Sequence, residues 1–169
     1  VDPGEIHHEY RTTRYPDRFY NLKIGIPWAD LERRLDMMSV LSLCTEEPME
    51  DRADREGDYS MGVDTGSALH VVILKAEGED DDRQRLVHLA ECGGFAELDG
   101  LIERFRVFRC VIDGLPETHA TREFAQRHRG RVYMNFFNEN QRGSAKWDRE
   151  SRSVLVNRTE ALDASRAAV

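Results

Sequence analysis

The sequence has few cysteines, no long apolar run and no excess of basic residues. Its 3 cysteines include no Cys-x-x-Cys pair, which argues against a zinc ribbon or a disulfide framework and favours a reducing compartment. No apolar stretch approaches the roughly 18 residues of a membrane span, and residues 1–5 lack the features of a signal peptide. The net charge of −8 argues against a domain that grips nucleic acid by broad electrostatics, although it does not exclude a nuclease.

The 169 residues, of which 40% are hydrophobic, are enough for one folded core with an accessory segment. Residues 1–58 carry scattered aromatics and prolines with one short helical pattern near Met37, which is typical of an arm or linker. The polar run at 50–58 predicts the boundary with a folded domain at 59–169.

The periodicity after this boundary predicts an α/β fold. Strands are expected at 59–64, 69–76, 84–90, 107–112 and 131–137, with helices at 94–105 and from about Pro116. The segments 146–148 and 153–156 flank a polar turn, which predicts a C-terminal β-hairpin. A helix is expected to follow, with Thr159 as its predicted N-cap. The expected architecture is a mixed sheet of about five strands flanked by helices, with the hairpin after it.

Two aspartates, Asp64 and Asp113, each end an apolar strand, and a crossover-sized segment separates them. If the two strands pair in parallel, both carboxylates lie side by side at one edge of the sheet. Hard cations prefer oxygen ligands, and a rigid sheet fixes those oxygens where substrate can reach them. The sequence therefore predicts that Asp64 and Asp113 are the metal ligands and the catalytic residues.

Residues 64–67 have a second interpretation, because the string Asp-Thr-Gly-Ser resembles the signature of aspartic proteases. In those enzymes two aspartates share a proton and activate water without metal. The alternation of helices and strands after residue 94 argues against that interpretation, since such proteases are nearly all β. It remains the enzymatic alternative.

Four stretches together resemble the nuclease domain of the large terminase subunit of tailed bacteriophages, which has a ribonuclease H-like fold. They occur in the order of that family at 19–27, 61–73, 110–117 and 156–163. The resemblance implies an endonuclease that cuts concatemeric viral double-stranded DNA during genome packaging, at a Mg²⁺ or Mn²⁺ site of three acidic residues. Asp64 and Asp113 match the first two.

The third acidic residue of that family belongs to a later segment, usually an Asp-His pair, which the sequence does not reach by Val169. Glu160 and Asp163 are nearby acids that fit surface or capping roles better, so a second metal ion is expected to bind weakly. The motor domain of the family is also missing, as no Gly-x-x-x-x-Gly-Lys-[Ser/Thr] occurs. The chain is thus expected to be a truncated nuclease portion, with residues 1–58 leading from the motor.

The resemblance also implies partners and a location. These are the ATPase motor domain of the parent protein, the portal and the small terminase subunit, in the host cytoplasm and not in the mature virion. A catalytically incomplete domain that docks on the portal or the motor is a further alternative. Either way, no membrane association is expected.

Basic residues gather on or beside the predicted hairpin, which therefore predicts a flap that contacts the DNA backbone. A solvated hairpin of mixed charge is the competing interpretation. His119 follows Asp113 closely enough for a weak role in positioning phosphate or water. The predicted DNA contacts are Lys146, Arg149, Arg152 and Arg158.

Overall fold

The computed structural model describes residues 2–14, 16, 19–26, 37–77 and 83–167. They fall into two compact units, residues 1–45 with 165–169, and residues 46–164. Pro27, the last residue of the first terminase-like stretch, lies outside the described residues. Among the described helices none is long and apolar enough to cross a membrane.

The first unit contains helix α1 (Pro3–Thr12), a π-helical segment (Phe19–Ile24) and helix α2 (Met37–Ser42). Asp2 caps α1 by accepting a 2.8 Å hydrogen bond from the amide of Gly4, which satisfies one of the free donors at the helix start. The rings of Tyr10, Phe19 and Tyr20 lie within 6.2 Å of one another and hold the α1 and π-helical segments together.

The second unit is an α/β fold with a seven-stranded mixed sheet in the order β3-β2-β1-β4-β5-β7-β6. Its elements are β1 (Tyr59–Thr65), β2 (Leu69–Glu77), β3 (Arg83–Cys92), α3 (Phe95–Arg104), β4 (Arg109–Asp113), α4 (Thr118–Arg127), β5 (Val132–Phe137), β6 (Lys146–Asp148), β7 (Ser153–Val156) and most of α5 (Arg158–Ala167). This confirms the predicted fold class, which is compatible with a ribonuclease H-like sheet. The strand count of about five was too low, because the β6–β7 hairpin extends the same sheet.

The core lies on one face of this sheet. Alternate residues of β1, Tyr59, Met61 and Val63, are buried in one cluster with Ile102 of α3 and Phe124 of α4. Strand geometry sends the intervening residues to the opposite face. Asp64 and His70 on that second face are exposed.

The second unit begins before the predicted boundary near residue 58, because residues 46–58 pack on it. The amide of Glu50 donates to the carbonyl of Val87 at 2.8 Å, and the amide of Ala53 donates to the carbonyl of Arg104 at 3.2 Å. The hydroxyl of Tyr59 donates to Oε2 of Glu50 at 2.7 Å. Backbone hydrogen bonds thus attach this polar segment to the sheet. Because such bonds do not depend on side-chain type, the sequence of the segment shows no hydrophobic pattern that would reveal them.

The cap of α5 also differs from the prediction. Oδ1 of Asn157 accepts the amide of Glu160 at 3.0 Å, so Asn157 caps the helix in place of Thr159. Nδ2 of Asn157 donates to the carbonyls of Glu139 and Gln141, at 2.9 and 3.1 Å. Asn157 therefore fixes the start of α5 against the loop that follows β5.

Candidate active site

Asp64 and Asp113 stand side by side at the carboxyl ends of neighbouring strands. Strands β1 and β4 are parallel and in register through the pair Val63 and Ile112, so the next residue on each strand is the aspartate. Val63 and Ile112 are buried in the core, which directs both aspartates to the other face of the sheet. The predicted juxtaposition of the two residues is present.

Asp113 is half-buried, while Asp64 is exposed. Burial raises the pKa of Asp113 above its usual value, and the neighbouring carboxyl of Asp64 raises this pKa further. A hydrogen bond from Asn135 and the charge of Arg158 act in the opposite direction. The two carboxylates thus form a site of concentrated negative charge that one nearby cation offsets in part.

Asn135 is a site residue that the sequence reasoning missed. Strand β5 pairs in parallel with β4, with Asn135 opposite Asp113, and its Nδ2 donates to Oδ1 of Asp113 at 3.0 Å. Asn135 is 9% exposed, so the bond is shielded from water. A single amide inside the otherwise apolar strand 132–137 was the signal that could have found it.

His70 and Glu91 extend the polar row across the other side of Asp64. His70 is the antiparallel partner of Asp64, and Glu91 is the partner of His70 on β3. Directly opposed residues of paired strands lie on the same face. Five strand positions from Glu91 to Asn135 therefore form one polar line, with the two aspartates in it.

The loop after β4 is tied to both neighbouring strands. The hydroxyl of Thr65 donates to the carbonyl of Leu115 at 2.6 Å, and the amide of Gly114 donates to the carbonyl of Asn135 at 2.9 Å. The hydroxyl of Thr118 donates to the carbonyl of Gly114 at 2.8 Å and links the loop to α4. These bonds hold the backbone next to Asp113 in one arrangement.

The other acids considered from the sequence do not join the pair. Glu160 accepts the amide of Gly143 at 3.0 Å and lies 3.4 Å from the guanidinium of Arg142, so it holds the 142–143 loop. Asp163 is exposed on α5. Within the described ranges, no group of three or more His, Cys, Asp or Glu side chains is placed to hold a metal ion.

The predicted DNA-contacting residues divide into two groups. Arg158 lies close enough to Asp113 to lower its pKa, and its guanidinium carbon is 5.5 Å from the centre of the Phe137 ring. Lys146 on β6 and Arg149 in the following turn are exposed, and Arg152 is half-exposed at the end of that turn. His119 is also exposed, 3.7 Å from Glu123.

Searches against models of protein families, curated proteins and solved structures found no match. The fold class therefore stands on the structure itself. The terminase resemblance remains a prediction from the sequence.

Proposed function

We propose that the second unit is a divalent-metal-dependent endonuclease that hydrolyses phosphodiester bonds of double-stranded DNA. The observation that carries this proposal is the pair Asp64 and Asp113, adjacent at the ends of parallel strands and facing away from the core. The proposal extends to the terminase-like role, which is the cutting of concatemeric viral DNA during genome packaging in the host cytoplasm. The motor domain, the portal and the small terminase subunit are the partners that this role implies.

The residues present fit one Mg²⁺ or Mn²⁺ ion. Asp64 and Asp113 offer carboxylate oxygens, and burial followed by the neighbouring carboxyl of Asp64 raises the pKa of Asp113, so a bound cation would favour its ionised form. A bound ion would supply Lewis-acid chemistry, activating water and stabilising the leaving oxygen. A second ion is expected to bind weakly, because the described residues supply no third carboxylate beside the pair.

The chain itself contributes orientation and charge. Asn135 fixes one oxygen of Asp113 through its 3.0 Å hydrogen bond, so the other oxygen keeps a defined direction. Asp64 is exposed, so its carboxylate would be the more accessible of the two to substrate. Arg158 places a positive charge near the pair, where it would attract a backbone phosphate.

An aspartic-protease activity is the second candidate function. The observation in its favour is the raised pKa of Asp113 beside Asp64, since a proton shared between two carboxyls is the basis of that mechanism. The mixed α/β sheet is unlike the nearly all-β architecture of those proteases. Sensitivity to a chelator separates the two, because proton-sharing aspartates need no metal.

The test is nicking of supercoiled plasmid with and without Mn²⁺, using the wild type, Asp64→Ala, Asp113→Ala and the control Asp163→Ala. We expect metal-dependent nicking by the wild type and the control and none by the other two variants. Melting in Mn²⁺ provides a second readout, because an ion that binds the folded state alone raises the melting temperature. Nicking that survives Asp64→Ala would remove the site assignment. A melting shift without nicking would favour the incomplete docking domain.

A further inference from the structure

Arg109, Tyr133 and Trp147 form a cluster of mutual contacts, here called the aromatic platform. The rings of Tyr133 and Trp147 meet edge to face with centres 4.9 Å apart. The guanidinium carbon of Arg109 lies 5.0 Å from the centre of the Trp147 ring and 5.5 Å from that of Tyr133. Cation–π contacts of this kind fix the orientation of a side chain that would otherwise be flexible.

The aromatic platform lies on the same face of the sheet as the aspartate pair. Arg109 and Asp113 are four residues apart on β4, and Tyr133 and Asn135 are two apart on β5, so each pair shares a face. Val154 pairs with Asn135 on one side and with Trp147 on the other. Directly paired residues lie on the same face, so Trp147 shares the face of Asn135. Arg109 and Asp113 are separated by about 13 Å along the strand, at roughly 3.3 Å per residue.

The aromatic platform leaves apolar ring surface in solvent. Tyr133 is 6% exposed, but Trp147 is 44% exposed and the adjacent Phe108 is 51% exposed. The guanidinium of Arg109 also lies 5.9 Å from the Phe108 ring. A cluster that served only to pack the sheet would gain by burying these rings, whereas partly exposed rings beside an arginine suit the stacking of a planar ligand.

The charge around the aromatic platform selects an anionic ligand. Residues 142–158 contain five basic and two acidic residues, in a chain whose net charge is −8. A nucleic acid strand with at least one unpaired base is one ligand that is both planar and anionic. Arg149 is exposed in the turn that follows β6, which leaves its charge available to the backbone of such a strand.

We propose that the aromatic platform stacks an unpaired base of single-stranded DNA and holds that strand beside the aspartate pair. The choice of DNA over other planar anions rests on the proposed nuclease function. The separation of about 13 Å corresponds to at most about four nucleotides, because stacked bases are about 3.4 Å apart and an unpaired strand is more extended. The strand is therefore held a few nucleotides from the bond to be cut, and unpaired or frayed DNA is bound in preference to intact duplex.

The test measures binding in EDTA, where metal-dependent cleavage does not occur, by fluorescence anisotropy of labelled oligothymidine and of a duplex of equal length. We expect the wild type to prefer the single strand, and Trp147→Ala to weaken its binding by about tenfold or more. Trp147→Phe, which keeps a ring, and Leu86→Ala, which removes an exposed apolar side chain from β3, should retain most of the affinity. Since no charge is removed, the salt dependence should be unchanged in all three variants.

A second readout does not depend on an alanine variant that folds. The chain has 2 tryptophans, so Trp28→Phe leaves Trp147 as the single indole, and oligothymidine should quench its emission. Unchanged emission at saturating DNA, equal affinity in Trp147→Ala, or equal binding of single strand and duplex would each overturn the proposal. Plasmid nicking is scored separately, so quenching without nicking keeps the aromatic platform and rejects the nuclease, and nicking without quenching does the reverse.

Discussion

The side-chain amide of Asn135 donates a 3.0 Å hydrogen bond to Oδ1 of Asp113, across two parallel strands. This bond favours the ionised form of Asp113, against burial and against the charge of Asp64, which both favour the protonated form. The charge state of Asp113 is thus a balance in which burial and Asp64 act against Asn135 and Arg158. Changing either neighbour of Asp113 should move that balance in a known direction.

Replacing Asn135 with alanine should shift the activity of the site towards higher pH. Loss of the hydrogen bond raises the pKa of Asp113 further, so a smaller fraction of the carboxyl is ionised in mildly acidic solution. We expect the acidic limb of the plasmid-nicking rate to move to higher pH, with a larger loss at low pH than at pH 8. The control is Asn140→Ala, whose side chain is exposed. A uniform loss at every pH would show that Asn135 is structural only.

Replacing Asp64 with asparagine should stabilise the fold at neutral pH while abolishing nicking. In the wild type the folded-state pKa of Asp113 lies above the ordinary value of about 3.9, so the folded state binds more protons in the interval between the two. This contribution to stability is therefore present below the ordinary pKa and is lost as the pH rises through the raised one. Asp64→Asn removes the repulsion between the two carboxylates, so the variant loses less stability than the wild type as the pH rises.

We expect the free energy of unfolding of Asp64→Asn at pH 7 to exceed that of the wild type by less than about 1 kcal/mol, since Asp113 is half-exposed and solvent screens the charge. Urea unfolding at pH 3.5 and pH 7 measures the free energies of unfolding of the wild type and of Asp64→Asn, with Asp163→Asn as the control. A variant that is less stable than the wild type at pH 7 would contradict this account of the pair.

The sequence was sufficient for local structure and for the aspartate pair, but not for long-range order. Alternating burial in β1 and β2 and the apolar spacing of α3 are local signals, and two strands that end in aspartate lead to Asp64 beside Asp113. The insertion of β7 between β5 and β6 depends on pairing across the sheet, for which no local pattern codes. Asn135 is a site residue only through the register of β5 with β4, which is also a long-range pairing.

Gly114 and Gly100 should respond in opposite ways to alanine. A Cβ on Gly114 would lie 2.5 Å from two ring atoms of Phe136 and 3.0 Å from the carbonyl oxygen of Asn135, so we expect Gly114→Ala to destabilise by about 1–3 kcal/mol. Gly100 lies inside α3 with nothing within 4 Å of its Cβ position, and Gly100→Ala should stabilise by roughly 0.5–1 kcal/mol. Thermal unfolding of both variants checks the contrast, which equal effects would contradict.

The three cysteines should differ sharply in reactivity. Cys44 is exposed, whereas Cys92 and Cys110 are buried, and burial raises the pKa of both buried thiols. Because the thiolate is the reactive form, we expect a colorimetric thiol reagent at pH 8 to modify one thiol per folded chain and three in denaturant. Cys44→Ser should remove the fast reaction. Rapid modification of Cys110 in the folded chain would show that the core around β4 opens readily.

Replacing Lys146 and Arg149 together with alanine should weaken DNA binding through salt-dependent terms alone. The turn that carries Arg149 is held by Asp148, whose Oδ1 accepts the amides of Glu150 and Ser151 at 2.9 and 3.1 Å, so its shape does not rely on the two basic side chains. With duplex DNA, each phosphate contact that is lost should reduce the slope of log affinity against log salt by about 0.9, or about 2 for the pair. Anisotropy titrations in EDTA at several salt concentrations measure this slope.

The matched control replaces Arg122 and Arg129 with alanine. Both arginines are exposed, on and just after α4, which packs on the face of the sheet opposite the aspartate pair. It removes the same charge, so a change in affinity that came only from net charge would occur equally in both double variants. Binding through the hairpin requires that the slope falls in the Lys146 and Arg149 variant and stays near the wild-type value in the control. If both slopes fall equally, the hairpin is a solvated edge of the sheet, and the affinity for DNA comes from elsewhere.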